Sequence, residues 1–401
     1  MGGPSLIIRL PSGDAEALAR FVQELVRIPS PSTQEGALAA RVAEEMQRVG
    51  FADVWISRIG SVVGRIGPGH GPKLLLDGHM DTVDVGDPAR WSSSPYGGEI
   101  ENGILYGRGA CDMKGGLAAM IYSAKALLDS GVELDGDLYI AAVVQEEPCE
   151  GLAMRVLVEE EGLRPDFVLL GEPTNLQISL GQRGRIEMQV NVQGRAAHAS
   201  SPALGENAIH NAARLIFGIE LLAPRLATDS FLGQGTVVVT HIDSLAASRN
   251  AVPDACSFCI DRRLTLGETE RRALAEIQNI ITTEEVNAEV EVTEYQGTSY
   301  TGYSRPVREA FPAWVIPEDH PLVQAVVRSV RETLNYRPRL GYWAFSTDGA
   351  YTAGLADIPT IGFGPGEERY AHTIHDQVRV NDIVDATRVY ARLAVELLGK
   401  R

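Results

Sequence analysis

A chain of 401 residues with 44% apolar and 22% charged side chains has an ordinary globular composition, long enough for two or three domains, which excludes a disordered or fibrous protein. Its formal net charge of −17, from 53 acidic and 36 basic residues, argues against sequence-independent nucleic-acid binding, which needs a positive field, and leaves carboxylates for cations to neutralise. No apolar run approaches the roughly 18 residues of a membrane span, and residues 1–11 lack the features of a secretion signal, so no membrane partner is expected and the expected compartment is the cytoplasm.

Residues 14–26 and 34–49 read as amphipathic helices, the second opened by Ser32 and Thr33 and stopped by Gly50. Paired short strands follow over 53–66, a buried strand over 73–78, a small-residue helix over 116–128, a strand over 138–144, a helix over 152–161 and a strand over 167–170. This alternation predicts an α/β fold with a mostly parallel central sheet covered by helices, and such sheets collect ligands at the carboxyl ends of their strands. From about Gly184 the pattern changes to β-α-β-β-α-β: strands over 186–192, 236–242, 255–264 and 288–295, with helices over 206–222 and 269–282. That order is ferredoxin-like and predicts a small inserted lid domain. After Gly297 the first pattern resumes, with a helix over 321–334, strands over 339–345 and 359–363, and a last helix over 382–398. The expected division is catalytic domain over 1–183 and 298–401, and lid over 184–297. Residues 300–317 receive no element.

The four cysteines, Cys111, Cys149, Cys256 and Cys259, are too few and scattered for a disulfide scaffold. Cys256 and Cys259 form a Cys-x-x-Cys, but within a strand positions three apart face opposite sides, so small buried residues are the better reading.

The apolar run Leu74, Leu75, Leu76 stops at Gly78, His79 and Asp81, a strand end presenting a histidine and a carboxylate. Four further loops repeat the pattern. Asp112 sits in a glycine-rich turn before a helix; Glu146 and Glu147 follow the strand over 138–144; Glu172 follows that over 167–170; His372 and His375 follow Gly364 and Gly366. Singly, these read as a helix cap, a solvated turn, a strand-end charge and surface histidines. Together, parallel strand ends crowd like charges that need a cation to compensate them. A set of histidines and carboxylates without cysteine suits a hydrolytic two-metal centre, with one of the adjacent Glu146 and Glu147 left over as a base.

These motifs resemble the di-zinc aminoacylase and carboxypeptidase family, which includes acetylornithine deacetylase, succinyl-diaminopimelate desuccinylase and glutamate carboxypeptidases. The resemblance spans nearly the whole chain and all five loops in order, and implies a zinc-exopeptidase-like fold. It assigns His79 and Glu172 to one zinc, Glu147 and His372 to the other, and Asp112 as the bridge; cobalt or manganese could substitute. By the same resemblance Asp81 supports His79 and Glu146 is the general base, activating a metal-bound water. His375 stands where the family usually has Asn or Asp, which leaves the choice between His372 and His375 open, with His372 preferred. The segments 145–151, 181–185, 261–268, 345–349 and 362–366 resemble the YgeY-type branch, which narrows kinship more than substrate.

In the inserted domain, His198 matches the family histidine that polarises the scissile carbonyl, often across a homodimer formed by the lid. Asn250 and Arg263 match positions that contact a substrate carboxylate, a task suited to the guanidinium fork, though Arg262 or Arg263 could point inward. The expected activity is hydrolysis of an amide in a small, carboxylate-bearing N-acyl amino acid or peptide-like molecule. Carboxypeptidase, dipeptidase and N-carbamoyl amidohydrolase chemistry stand as alternatives, and a non-catalytic binding homologue is the alternative from a different class.

Overall fold

The computed structural model describes residues 10–400; residues 1–9 and 401 lie outside the described residues, and with them most of the stretch read above for a secretion signal. No helix among the described residues is long and apolar enough to cross a membrane.

The organising element is the strand Lys73–His79, buried from Leu74 to its end. It pairs in parallel with Asp137–Val143 on one side and Phe167–Leu170 on the other, and Thr360–Gly362 continues the parallel set beyond Phe167–Leu170. Strands this apolar need cover on both faces. Helices Gly115–Ser130 and Val380–Leu398 pack on each other and against the two central strands Lys73–His79 and Asp137–Val143. Residues 115–124 of the first are all buried, which small Gly115, Gly116, Ala118 and Ala119 permit at close range. Toward its edges the sheet turns antiparallel, with Val62–Ile66 and Asp53–Ile56 on one side and Ile178–Gln182 on the other, where Leu340–Trp343 in turn pairs in parallel with Ile178–Gln182.

Four loops therefore leave the carboxyl ends of adjacent parallel strands. The fifth has a different origin. The glycine-rich turn bearing Asp112 follows Ile104–Tyr106, which belongs to a separate three-stranded sheet with Glu99–Glu101 and Gln377–Arg379, not to the central sheet as the strand-end argument supposed. Each of these three strands has three residues, too few for an apolar alternation to register in sequence.

The second sheet is antiparallel throughout, with Thr236–Leu245, Ala255–Leu264, Gly184–Gln193 and Ala288–Val292 side by side. Numbered along the chain this is order 2-3-1-4, the ferredoxin-like arrangement. Ile186, Met188, Val190, Phe258 and Ile260 form its apolar core with Leu215 and Ile277 of helices Ala208–Leu222 and Glu270–Thr283. Cys256 is buried as expected, whereas Cys259, on the opposite face of its strand, is only partly so.

The passage between the two sheets was not legible in the sequence. Ile178–Gln182, in the large sheet, runs almost directly into Gly184–Gln193, in the small one. The returning chain lies alongside: Ala310 and Phe311 pair with Ile186 and Arg185, Trp314 and Val315 with Gln182 and Gly181. The segment 300–317 is thus a partner strand for the crossing, and the small sheet gains a strand beyond residue 297. A Cβ on Gly181 would lie 2.2 Å from the Trp314 carbonyl oxygen and one on Gly184 2.5 Å from that of Phe311, so only glycine allows the two crossing segments to pair this closely.

Candidate metal centre

His79, the last residue of its strand, is 1% exposed. Its Nε2 lies 2.9 Å from Asp112 Oδ1 and 3.7 Å from Glu172 Oε1. Its Nδ1 lies 2.8 Å from the main-chain oxygen of Asp81, which fixes the ring and leaves Nε2 to face the carboxylates. On the other side of Asp112, His372 Nε2 lies 3.2 Å from Oδ2 and 2.9 Å from Glu147 Oε2. Two groups able to hold a metal result, His79–Asp112–Glu172 and Asp112–Glu147–His372, sharing Asp112 through its two oxygens.

The supports are as specific as the ligands. Asp376, wholly buried, accepts from the backbone N–H groups of Gly109 at 2.7 Å and Cys111 at 2.8 Å and from Arg108 at 3.0 Å, and so holds the turn that presents Asp112. The Asp81 carboxylate accepts from the N–H of Glu146 at 3.1 Å, the N–H of Glu147 at 3.2 Å and Ser32 Oγ at 2.7 Å. Its distance to His79 Nδ1 is 3.8 Å, so its side chain grips the Glu146–Glu147 loop while its main chain orients His79. Glu35 Oε1 reaches the same loop, accepting from the N–H of Gln145 at 3.1 Å.

Electrostatics make the case for a cation. Burial, then the Glu172 carboxylate, push the Glu146 carboxyl well above its ordinary value. Burial and Asp112 do the same to Glu172. Burial alone would raise Asp112 too, but hydrogen bonds with His372 and His79 hold it low, and the bonds to Asp112 and Glu147 push His372 up to about 10. These opposite shifts show that the clustered carboxylates favour positive charge between them. A divalent cation held by the same atoms would supply that charge. Glu147 Oε1 and Glu146 Oε1 are buried without a hydrogen-bond partner, as expected of a ligand and a base with free valences. The donors, imidazole and carboxylate, suit zinc, cobalt or manganese. Cys111, adjacent in sequence, directs its Sγ to the Glu367 carbonyl oxygen, 3.3 Å away.

A cavity of about 270 Å³ opens onto this cluster, lined among others by Glu146, Glu172, His372, Arg263, Arg185 and Glu150. Arg263 is partly exposed to it, its Nε and Nη2 held by Asp261 at 2.8 and 3.0 Å. Arg262 points to the opposite side, 1% exposed, and pairs with Glu268 and Glu276. His375 lies away from the cluster, in a second cavity beside Trp91 and Tyr106. His198 and Asn250 are exposed neighbours on the inserted domain, the Asn250 carbonyl accepting from the N–H of Ala199, and neither lines the 270 Å³ cavity.

Sequence reasoning passed over several buried carboxyls here. Burial and then the Asp348 charge raise the proton affinity of Asp77, a residue within an otherwise apolar strand, and burial pushes the Asp348 carboxyl up to about 6. A lone aspartate in a Leu-rich strand was a usable signal for the first. Glu150 and Arg185, joined at 3.2 Å, fell in segments read only for kinship.

The description "Peptidase family M20/M25/M40" matches residues 75–396. The uncharacterized protein YgeY of Escherichia coli K12 is 40% identical over 95% of this chain and 94% of its own length. A succinyl-diaminopimelate desuccinylase of Methylorubrum populi is 28% identical over 92% of this chain and 95% of its own. The crystal structure of the M20 family metallo-carboxypeptidase Sso-CP2 from Sulfolobus solfataricus superposes with a TM-score of 0.77 over 95% of this chain and 98% of that one, at 18% identity, and shares the fold. With five loops converging on two candidate cation positions and this extent of sequence match, the chain belongs to the peptidase family M20/M25/M40, whose members are metal-dependent hydrolases of amide and peptide bonds.

Proposed function

We propose that the chain hydrolyses the amide bond of a small N-acyl amino acid or peptide-like substrate bearing a carboxylate, with two zinc ions held by His79, Asp112 and Glu172 and by Asp112, Glu147 and His372. The observation that carries the reading is Asp112 belonging to two groups of three side chains able to hold a metal while Glu146, in the same cavity, keeps a buried oxygen free. Bound there, the metals supply Lewis acidity toward the carbonyl and lower the pKa of water. Glu146 takes the proton of the attacking water and delivers it to the leaving nitrogen. Asp81 and Glu35 hold the main chain from which Glu146 projects. Arg263 binds the substrate carboxylate from the lid side of the cavity.

His198 and Asn250 act on the carbonyl and carboxylate from the partner subunit of a homodimer. Support for that comes from the edge strand Thr236–Leu245 of the inserted domain, which leaves Val238, Ile242 and Leu245 exposed beside Phe217 and Leu221 of the adjacent helix. A dimer would cover this apolar, unpaired edge.

The test is a panel of acetyl, succinyl and carbamoyl amino acids beside dipeptides, each assayed with zinc, cobalt and manganese. Glu146→Gln is expected to cut turnover about 10²- to 10⁴-fold with metal content unchanged. Near-normal turnover by that variant would remove Glu146 from its role. Absence of both metal uptake and hydrolysis across the panel would favour a binding homologue instead.

A further inference from the structure

The turn that carries Glu146 and Glu147 also delivers a third glutamate to the cavity. Glu150 is 6% exposed; one of its oxygens lies 3.2 Å from Arg185 Nη1, and the other, Oε2, is buried with no hydrogen-bond partner. A buried carboxylate oxygen without a donor is costly unless something supplies one.

Neutralising Arg185 does not require Glu150. Arg185 Nη2 already lies 3.5 Å from Glu187 and 3.4 Å from Glu309. Arg263, directly opposite Arg185 in the strand register, is held by both oxygens of Asp261. The two guanidiniums that line the lid side of the cavity are thus already set against three carboxylates behind them, Glu187, Glu309 and Asp261, before Glu150 is counted. Glu150 makes a fourth, so its free oxygen is not needed to balance Arg185 or Arg263.

We infer that Glu150 is a specificity-determining residue whose free oxygen receives an ammonium or comparable cationic N–H donor on the substrate, so that the site selects amides carrying a positive group besides their carboxylate and disfavours those carrying a second carboxylate. The inference rests on the reading of this cavity as the substrate site. The position has the reach to act on bound substrate, since Glu150 shares the cavity with Glu146, Glu172 and Arg263. Consistent with it, burial pushes the Glu150 carboxyl up to about 7 against the lowering influence of Arg185. Charge-assisted hydrogen bonds of this kind are the strong ones, and the Arg185 contact fixes the orientation of the carboxylate in advance.

Binding measured without turnover tests this. In the metal-loaded Glu146→Gln protein, calorimetry is run with three probes of similar shape: α-N-acetyl-lysine, α-N-acetyl-norleucine and α-N-acetyl-2-aminoadipate. Acetylation leaves the side-chain ammonium as the sole positive charge. Acetyl-lysine is expected to bind about tenfold to a hundredfold more tightly than acetyl-norleucine, with acetyl-aminoadipate weakest. Adding Glu150→Gln, which keeps the shape, should bring lysine and norleucine within about twofold of each other while melting temperature and metal content hold. Equal binding of lysine and norleucine overturns the inference without any Glu150 variant, as does a preference that survives Glu150→Gln or the binding of none of the three. The hydrolytic panel answers separately: amides cleaved without cationic preference leave the proposed chemistry standing and remove the role of Glu150, and a Glu150-dependent preference without cleavage does the reverse.

Discussion

Asp81→Asn separates two jobs that one residue performs. Three donors converge on its carboxylate: the N–H of Glu146 on Oδ1, and the N–H of Glu147 with the Ser32 hydroxyl on Oδ2. Asparagine offers one acceptor oxygen and an NH2 group. The less costly orientation keeps the oxygen toward Glu147 and Ser32 and points the NH2 at the Glu146 N–H, leaving that donor buried and unsatisfied. Such a loss costs about 1–3 kcal/mol, and it falls on the residue bearing the base. A displacement of roughly an ångström at a reacting group costs about a hundredfold in rate, so kcat should fall about 10- to 100-fold, with stability reduced by about 1–3 kcal/mol. The main-chain oxygen that orients His79 is untouched, and metal content should stay at the wild-type level. The assays are urea denaturation of the metal-loaded protein, steady-state kinetics on an amide from the panel, and elemental analysis. Ser32→Ala, which removes one donor and leaves the carboxylate well supplied, should change kcat less than about threefold. Loss of metal by Asp81→Asn with undiminished turnover per bound metal would refute the argument, because the carboxylate would then be acting through His79.

Glu35 gives a pH prediction. Burial, then the Asp81 charge, push its carboxyl from 4.5 up to about 7. The folded chain therefore holds this proton more tightly than the unfolded one, so the stability it contributes is fully present below about pH 4.5 and is lost as pH rises through about 7. The loss is on the order of 3 kcal/mol, and in the metal-free protein Glu35→Gln should be increasingly more stable than wild type across that window; a constant difference from pH 4 to 8 would sink the assignment. The paired arginines of the inserted domain should part ways. Arg262→Ala breaks a buried ion pair with Glu268 and should cost about 3–5 kcal/mol, read by denaturant melts, with a loss below about 1 kcal/mol counting against it. Arg263→Ala should leave the melt near wild type and raise KM about tenfold or more, and an unchanged KM would remove it from substrate binding.

The parts of this structure that sequence made legible are those with a long period. Leu74 to Leu76 signalled a strand buried on both faces, and the alternation of Ile186, Met188, Val190 and Val192 signalled one buried on a single face. His79, Glu146, Glu147 and Glu172 were legible as site candidates because polar residues at the ends of apolar strands stand out. Asp112 was legible for a partly mistaken reason: its turn is anchored by Asp376 and Arg108 on a small side sheet, and a three-residue strand carries no period to read. The crossing between the sheets failed for a related reason, since Gly181, Gly184 and the two-residue strands Ala310–Phe311 and Trp314–Val315 are defined by each other across more than 120 positions of sequence. The division of labour within Asp81, and the orientations of Arg262 and Arg263, depend on side-chain direction, which spacing leaves open until neighbouring strands are in register.

The central claim is that Asp112 is shared by two metal positions. Titrating zinc into the metal-free protein, and counting tightly bound equivalents after desalting, tests it most directly. Wild type should hold two, His372→Ala one, and Asp112→Ala none at the same affinity. Two equivalents retained by Asp112→Ala, or a single equivalent in wild type, would show that Asp112 does not join two metal positions.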